Sequence, residues 1–94
     1  MAKFLAIHPV DPPVTREQAD GVFAACKAGV SLDAYWVSSW LQHNADGLIT
    51  KVFCEWDAAS VDAITASCAA SIPQLPASDG IFPMSEAHAE SYRA

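Results

Sequence analysis

The stretch Asp33–Trp56, DAYWVSSWLQHNADGLITKVFCEW, decides the fold. Two runs rich in Trp, Val, Ile, Tyr and Phe flank Asn44-Ala45-Asp46-Gly47, a sequence with the residues that turns require. The spacing predicts a hairpin of two strands, about Asp33 to Gln42 and Leu48 to Trp56. Helical patterns lie on both sides of it. Upstream, Thr15 with Gln18 three residues later forms a capping box, and Ala19, Val22, Phe23 and Cys26 recur at helical spacing until Gly29 stops the run near Ala28. Downstream, Asp57 or Ser60 caps a second helix to about Ser71, with Val61, Ile64 and Cys68 on one face.

Two further strands complete the order. Lys3 to His8 is an apolar run, and Pro9, Pro12 and Pro13 are expected to end it by removing backbone donors. A loop with Pro73, Pro76 and Gly80 leads to a short last strand, Ile81 to Met84. The β-α-β-β-α-β order predicts an α+β, ferredoxin-like domain: a four-stranded antiparallel sheet in the order 4-1-3-2 with both helices on one face. Residues 1–85 form this single domain and 86–94 a polar tail. The opposite sheet face is left bare, and its apolar strands predict a homodimer of the dimeric α/β-barrel type.

Composition narrows the function classes. The chain has 94 residues, 52% of them hydrophobic and only 17% charged, so part of its apolar surface is expected to meet another subunit. The formal charge is -6, and Lys3, Arg16, Lys27, Lys51 and Arg93 are scattered singly. No basic patch exists for a phosphate backbone, which argues against nucleic acid. No apolar run reaches the ~18 residues of a membrane span or has the layout of a signal peptide, so a cytoplasmic protein is expected. Cys26, Cys54 and Cys68 lack a C-x-x-C pair and are expected to be reduced thiols. Cys26 and Cys68 fall on apolar helix faces and read as core, whereas Cys54 stays open.

The candidate site starts from His8. With the first and third strands expected side by side and parallel, His8 would end near Cys54, Glu55 and Trp56. Imidazole, thiolate and carboxylate all bind a divalent transition metal such as nickel or zinc, so His8, Cys54 and Glu55 are the candidate ligands. Asp33, water or a second subunit would complete the set. Cys54 and Glu55 point to opposite faces, so only one can share a face with His8. Hairpin register decides which. A type I turn with Gly47 in a left-handed bulge sets Asn44 opposite Leu48 and pairs Trp36 with Trp56, Ser38 with Cys54 and Trp40 with Val52. A two- or four-residue loop instead groups Trp36 and Trp40 with Lys51 and Glu55. Tyr35, Trp36, Trp40 and Trp56 are the candidate aromatic lining of a ligand pocket, or else core and interface. On the first strand, the larger aliphatics Leu5 and Ile7 are expected to meet the helices, leaving Phe4, Ala6 and His8 towards the partner subunit. His43 and His88 read as exposed.

The opening Ala2-Lys3-Phe4 with His8, the run Val52-Phe53-Cys54-Glu55-Trp56-Asp57, then Ala58, Ser60, Ala63 and Pro83, resemble the small bacterial nickel-binding proteins of ferredoxin-like fold. The resemblance implies a cytoplasmic homodimer and nickel binding, with His8 and Cys54 as the positions carried over. Three function classes follow. The leading one is a small metal-binding or small-ligand-binding protein. The second is a cofactor-free enzyme of the dimeric α/β-barrel type, monooxygenase- or isomerase-like, with His8 or Glu55 as general base in an aromatic cavity. The third is an interaction module. Gly-rich phosphate loops, G-x-S-x-G and H-E-x-x-H are all absent from the sequence, so no organic cofactor is indicated.

Overall fold

The structure, a computed structural model, describes residues 1–72 and 74–93; Pro73, placed in a loop by its sequence, and Ala94 of the tail lie outside the described residues. The elements are β1 (Ala2–Val14), α1 (Arg16–Ala28), β2 (Ala34–His43), β3 (Ile49–Ala58), α2 (Val61–Ser71) and β4 (Gly80–Met84), followed by a short 3-10 turn at Ala89–Tyr92. Four strands form one sheet in the order β2-β3-β1-β4. This is the ferredoxin-like α+β arrangement expected from the sequence.

Local chemistry explains the boundaries. Thr15 accepts from the Gln18 backbone N–H while the Gln18 side chain accepts from the Thr15 N–H, so two orphan donors of α1 are satisfied reciprocally. Ser60 caps α2 by accepting from the Ala63 N–H, and Asp57 belongs to β3. Gly47, at φ +80, closes the hairpin turn with its N–H on the Asn44 carbonyl, and Asn44 stands opposite Leu48.

Two expectations about β1 are overturned. Its strand does not end at His8 but runs through Pro9, Pro12 and Pro13 to Val14, which pairs with Ile49. The pairing breaks between Pro9 and Val14, so Pro12 and Pro13 sit in a bulged stretch where missing donors interrupt no ladder. Nor is β1 parallel to β3; every pair between them is antiparallel. The crossover through α1 leaves β1 and β2 pointing the same way, and the hairpin then reverses β3.

The hairpin carries two single-residue irregularities. Thr50 is extra on β3, between the pairs His43–Ile49 and Gln42–Lys51, and Val37 is extra on β2, between Trp36–Trp56 and Ser38–Glu55. Their offsets cancel, which keeps Trp36 opposite Trp56 as the turn geometry predicts. Between them, however, Ser39 rather than Ser38 faces Cys54, and Trp40 pairs with Phe53 rather than Val52.

The core sits between the sheet and the helices in two parts. One unites Phe4, Ala6, Ala34, Trp56 and Ala58 of the sheet with Ile64 and Cys68 of α2 and Ile72. The other joins Ala19 of α1 to Ile49 and Val52. Phe4 and Ala6 therefore meet the helices, and Leu5 and Ile7 take the bare face, opposite to the expectation from side-chain size. Close approach of α2 to the sheet selects the small Ala6, Ala34 and Ala58, all fully buried.

Gly21 and Gly29 give opposite expectations for one substitution. A Cβ at Gly21, inside α1, meets nothing within 4 Å, so Gly21→Ala is expected to stabilise by about 0.5–1 kcal/mol. A Cβ at Gly29 would lie 2.7 Å from the Ser71 Cβ and 1.5 Å from its Oγ, so Gly29→Ala is expected to destabilise by about 1–3 kcal/mol. Urea denaturation of both variants, with Gly29→Ala/Ser71→Gly recovering most of the loss, checks the packing.

Candidate functional site

A recess of about 90 Å³ opens between the two parts of the core. The sheet supplies His8 from β1, Trp36 from β2, and Val52, Cys54 and Trp56 from β3. Val22, Phe23 and Cys26 of α1 and Cys68 of α2 form the roof, with Ile72 and Pro76 beyond them. Val22 is 48% exposed, which marks the mouth on the α1 side. Among all these residues only His8 and the three thiols titrate.

His8 is fixed from the loop that precedes β4. Its Nδ1 lies 3.0 Å from the Ala77 carbonyl oxygen. A carbonyl only accepts, so the ring donates through Nδ1, and in the neutral imidazole Nε2 keeps its lone pair. That nitrogen is equipped to accept a proton or to bind a metal ion.

The two facing tryptophans differ in one respect. Trp36 Nε1 donates to Ser39 Oγ at 2.9 Å, and the Ser39 hydroxyl donates to Cys54 Sγ at 3.1 Å. Phe23 of α1 covers the Trp36 ring, centroids 5.5 Å apart and tilted by 31°. Trp56 is 3% exposed, and its Nε1 is buried with no partner among the described residues. An unpaired buried donor of this kind costs on the order of 1–3 kcal/mol.

The thiols are held neutral. Burial pushes Cys26 up, and it pushes Cys54 up against a smaller opposing effect of the Ser39 hydrogen bond. Cys68 is pushed up to about 11, first by burial and then by Cys26 and Cys54. All three therefore share one environment, whereas the sequence reading put Cys26 and Cys68 in the core and left Cys54 open. Helical spacing placed Cys26 and Cys68 on inward faces but carried no sign that both faces meet Cys54.

Of the proposed metal ligands, two are brought to one recess and the third is not. Cys54, not Glu55, shares the face of His8, and both line the recess. Glu55 lies on the opposite face, with Lys3 Nζ 2.5 Å from its Oε2 and 2.7 Å from Asp57 Oδ1. Asp57 first, then Glu55, raises the Lys3 pKa above its ordinary value. Asp33 precedes Ala34, the partner of Ala58, six residues along β3 from the Val52 that pairs with His8. That separation is about 20 Å at the rise of a strand. Among the described residues no group of three or more His, Cys, Asp or Glu side chains is placed to hold a metal ion. Glu55 and Asp33 are thus kept apart from His8 and Cys54 within one subunit.

The aromatic set is also divided. Trp36 and Trp56 line the recess, whereas Trp40 is 73% exposed and borders a surface groove that shares Phe23 and Trp36 with it. Tyr35 is exposed, with Lys27 Nζ 3.7 Å from its ring centroid. Phe23, Val22 and Cys26, which roof the recess, were read from the sequence only as a helix face.

No protein-family model and no curated protein matches the chain. Among solved structures, it is similar to the crystal structure of SCO4226 from Streptomyces coelicolor A3(2), with a TM-score of 0.72 and 15% sequence identity over 93% of this chain and 100% of that one. A likeness at this identity is one of fold.

The buried thiols give a measurable expectation. At pH 8, iodoacetamide should alkylate the native protein at least about tenfold more slowly than the urea-unfolded chain, because thiolate is the reacting form. The raised Cys68 value also makes the folded state hold its proton more tightly than a free thiol of pKa 9.0. Its stabilising contribution is intact below pH 9 and is lost as pH rises towards 11. Denaturation midpoints measured across that interval should fall accordingly.

Proposed function

We propose that the protein binds a small organic molecule in the recess between sheet and helices. The observation that carries this reading is the convergence of His8, Trp36, Cys54 and Trp56, from three strands, on one largely apolar opening. Apolar walls with a few placed polar groups are the usual make-up of a ligand site. His8 Nε2 supplies an acceptor at the sheet side, which also serves the alternative reading of a cofactor-free enzyme with His8 as general base. Glu55, tied to Lys3 on the other face, does not serve as that base here.

A thermal-shift panel on tag-free protein tests the reading, with monocyclic organic molecules in one arm and divalent nickel and zinc in the other. A ligand at ten times its Kd adds about 1.4 kcal/mol, a rise of roughly 6–10 °C for a chain of this length. Val22→Phe, which narrows the mouth, should abolish the rise while leaving the unliganded melting temperature within about 2 °C. A response confined to the metal arm and lost in His8→Ala would replace the organic ligand by a metal ion. No response in either arm would defeat both.

We also infer that a second copy covers the bare sheet face, making a homodimer. Leu5, Ile7, Phe53, Phe82 and Met84 lie on this face by their register, and Phe82 and Met84 are exposed. Lys3, Glu55 and Asp57 form one ion-paired cluster among them. Light scattering should give twice the chain mass, and Phe82→Glu should halve it without altering the fold; a wild-type protein of single-chain mass at micromolar concentration sinks the inference.

A further inference from the structure

All three cysteines of the chain border the same recess. Cys26 comes from α1, Cys54 from the middle of β3 and Cys68 from α2, and each lines the opening of about 90 Å³. Cys54 lies on the helix-facing side of an inner strand and is still only half-buried, so the recess is its route to solvent. The proximity of the thiols has an electrostatic mark: charge on Cys26 is felt at Cys54, and charge on either is felt at Cys68. Free cysteines ordinarily serve singly, as small apolar residues of a core. Here two helices and the sheet gather them at one opening.

What such a cluster can hold follows from the walls around it. No Lys, Arg, Asp or Glu is among the described residues that line the recess. Burial holds the thiols in their neutral form, so an occupant that leaves net charge among them loses hydration with no counter-charge to replace it. Sulfur ligands select soft, thiophilic centres. A cation balances its thiolates at one stoichiometry only: three thiolates outweigh zinc by one charge and copper(I) by two. Trivalent arsenic balances at every stoichiometry, because it arrives as the neutral hydroxide As(OH)₃ and each thiol replaces one hydroxide. Space agrees: about 90 Å³ is about three times the ~30 Å³ share of a water molecule, which suits one atom carrying three hydroxyl groups.

We propose that the recess captures trivalent arsenic, as neutral arsenous acid, through Cys26, Cys54 and Cys68. In each exchange an As–O bond breaks, an As–S bond forms, and the thiol proton leaves with the displaced hydroxide as water. Arsenic stays trivalent and nothing is oxidised. The product is a neutral tris-thiolate. Among the described residues no three donors are already placed around an ion, so two thiols take the arsenic first and the third joins as the side chains turn towards it. This inference goes beyond the organic-ligand reading and does not need it, since the thiols meet here whether or not an organic molecule also enters.

Native mass spectrometry of reduced, tag-free protein mixed with sodium arsenite tests this. One arsenic per chain is expected, with three thiol protons lost and no hydroxyl retained. The folded protein should bind at least about tenfold more tightly than the urea-unfolded chain, because the fold has already gathered the thiols. Cys26→Ser, Cys54→Ser and Cys68→Ser should each leave one hydroxyl on the arsenic and weaken binding by at least about tenfold, since the last As–S bond closes within one molecule. Exchange releases water and no net proton, so arsenite affinity should stay level between about pH 6 and 8, whereas zinc or nickel, which displaces thiol protons, should bind more tightly as pH rises. The comparison with unfolded chain and the pH profile are read on the wild type and decide the matter should a variant fold poorly. Equal binding by folded and unfolded chain, an adduct unchanged in all three variants, or an arsenite affinity that climbs with pH overturns the proposal. Zinc or nickel binding tighter than arsenite, and lost in the same variants, assigns the thiols to a cation and overturns it too. None of these results alters the outcome of the organic panel, so the two readings fall separately.

Discussion

Two inserted residues, Val37 on β2 and Thr50 on β3, set the face on which most of the hairpin's side chains lie. Side chains alternate along a strand with a period of two, so one extra residue transfers everything beyond it to the other side of the sheet. The Thr50 insertion lets Ile49 and Val52, three apart, both enter the core beside Ala19. The Val37 insertion separates Trp36, on the helix side, from Trp40, which pairs with Phe53 on the bare side. It also brings Ser39 to Cys54, and so completes the chain of donors from the Trp36 indole through the Ser39 hydroxyl to sulfur.

The recess is a product of how the two helices rest on this sheet. α2 sits over the alanine-lined end formed by Ala6, Ala34 and Ala58, where small side chains allow close approach. α1 rests on the Ile49–Val52 end through Ala19 and the half-buried Phe23. Cys54 touches both parts of the core, and the space above it is bordered by Cys26 from α1 and Cys68 from α2. Close contact between the helices occurs at their C-terminal ends, where Ser67 Oγ donates to the Gly29 carbonyl at 3.2 Å. The helices are thus pinned at one end, and the recess lies where small thiols rather than long aliphatics meet.

The element order was legible because each boundary has a local chemical cause. Thr15 with Gln18, Gly29, Asn44 to Gly47 and Ser60 each act within a few residues of the chain, and all four mark an end in the structure. What stayed hidden depends on contacts between distant segments. A bulge at Val37 leaves no compositional trace, since valine suits a regular strand equally well. The continuation of β1 through its prolines depends on the partner strand ending nearby. Side-chain size misled on β1, because the helix-facing side is chosen by how closely α2 approaches and not by where the larger aliphatics fall. The antiparallel pairing of β1 and β3 was available from connectivity: a crossover followed by a hairpin permits one direction only. Of the site, His8, Cys54, Trp36 and Trp56 were singled out by residue type and strand position. Glu55 and Tyr35 adjoin Cys54 and Trp36 in sequence, and Trp40 was grouped with Trp36 as an aromatic of the same strand; the structure places all three elsewhere.

The uneven seating of the helices fixes how the molecule breathes. Among its described residues α1 has one buried residue, Ala19, and an unsupported glycine at its centre, whereas α2 anchors Ile64, Ser67 and Cys68. Regions with few buried apolar contacts open at a small fraction of the global unfolding free energy. Of the two helices, α1 is therefore the one whose amides exchange with solvent sooner, through excursions that leave α2 in place. Because Val22, Phe23 and Cys26 leave with it, the same excursions uncover the interior wall of the recess, whose exposure is set by one helix and not by the fold as a whole.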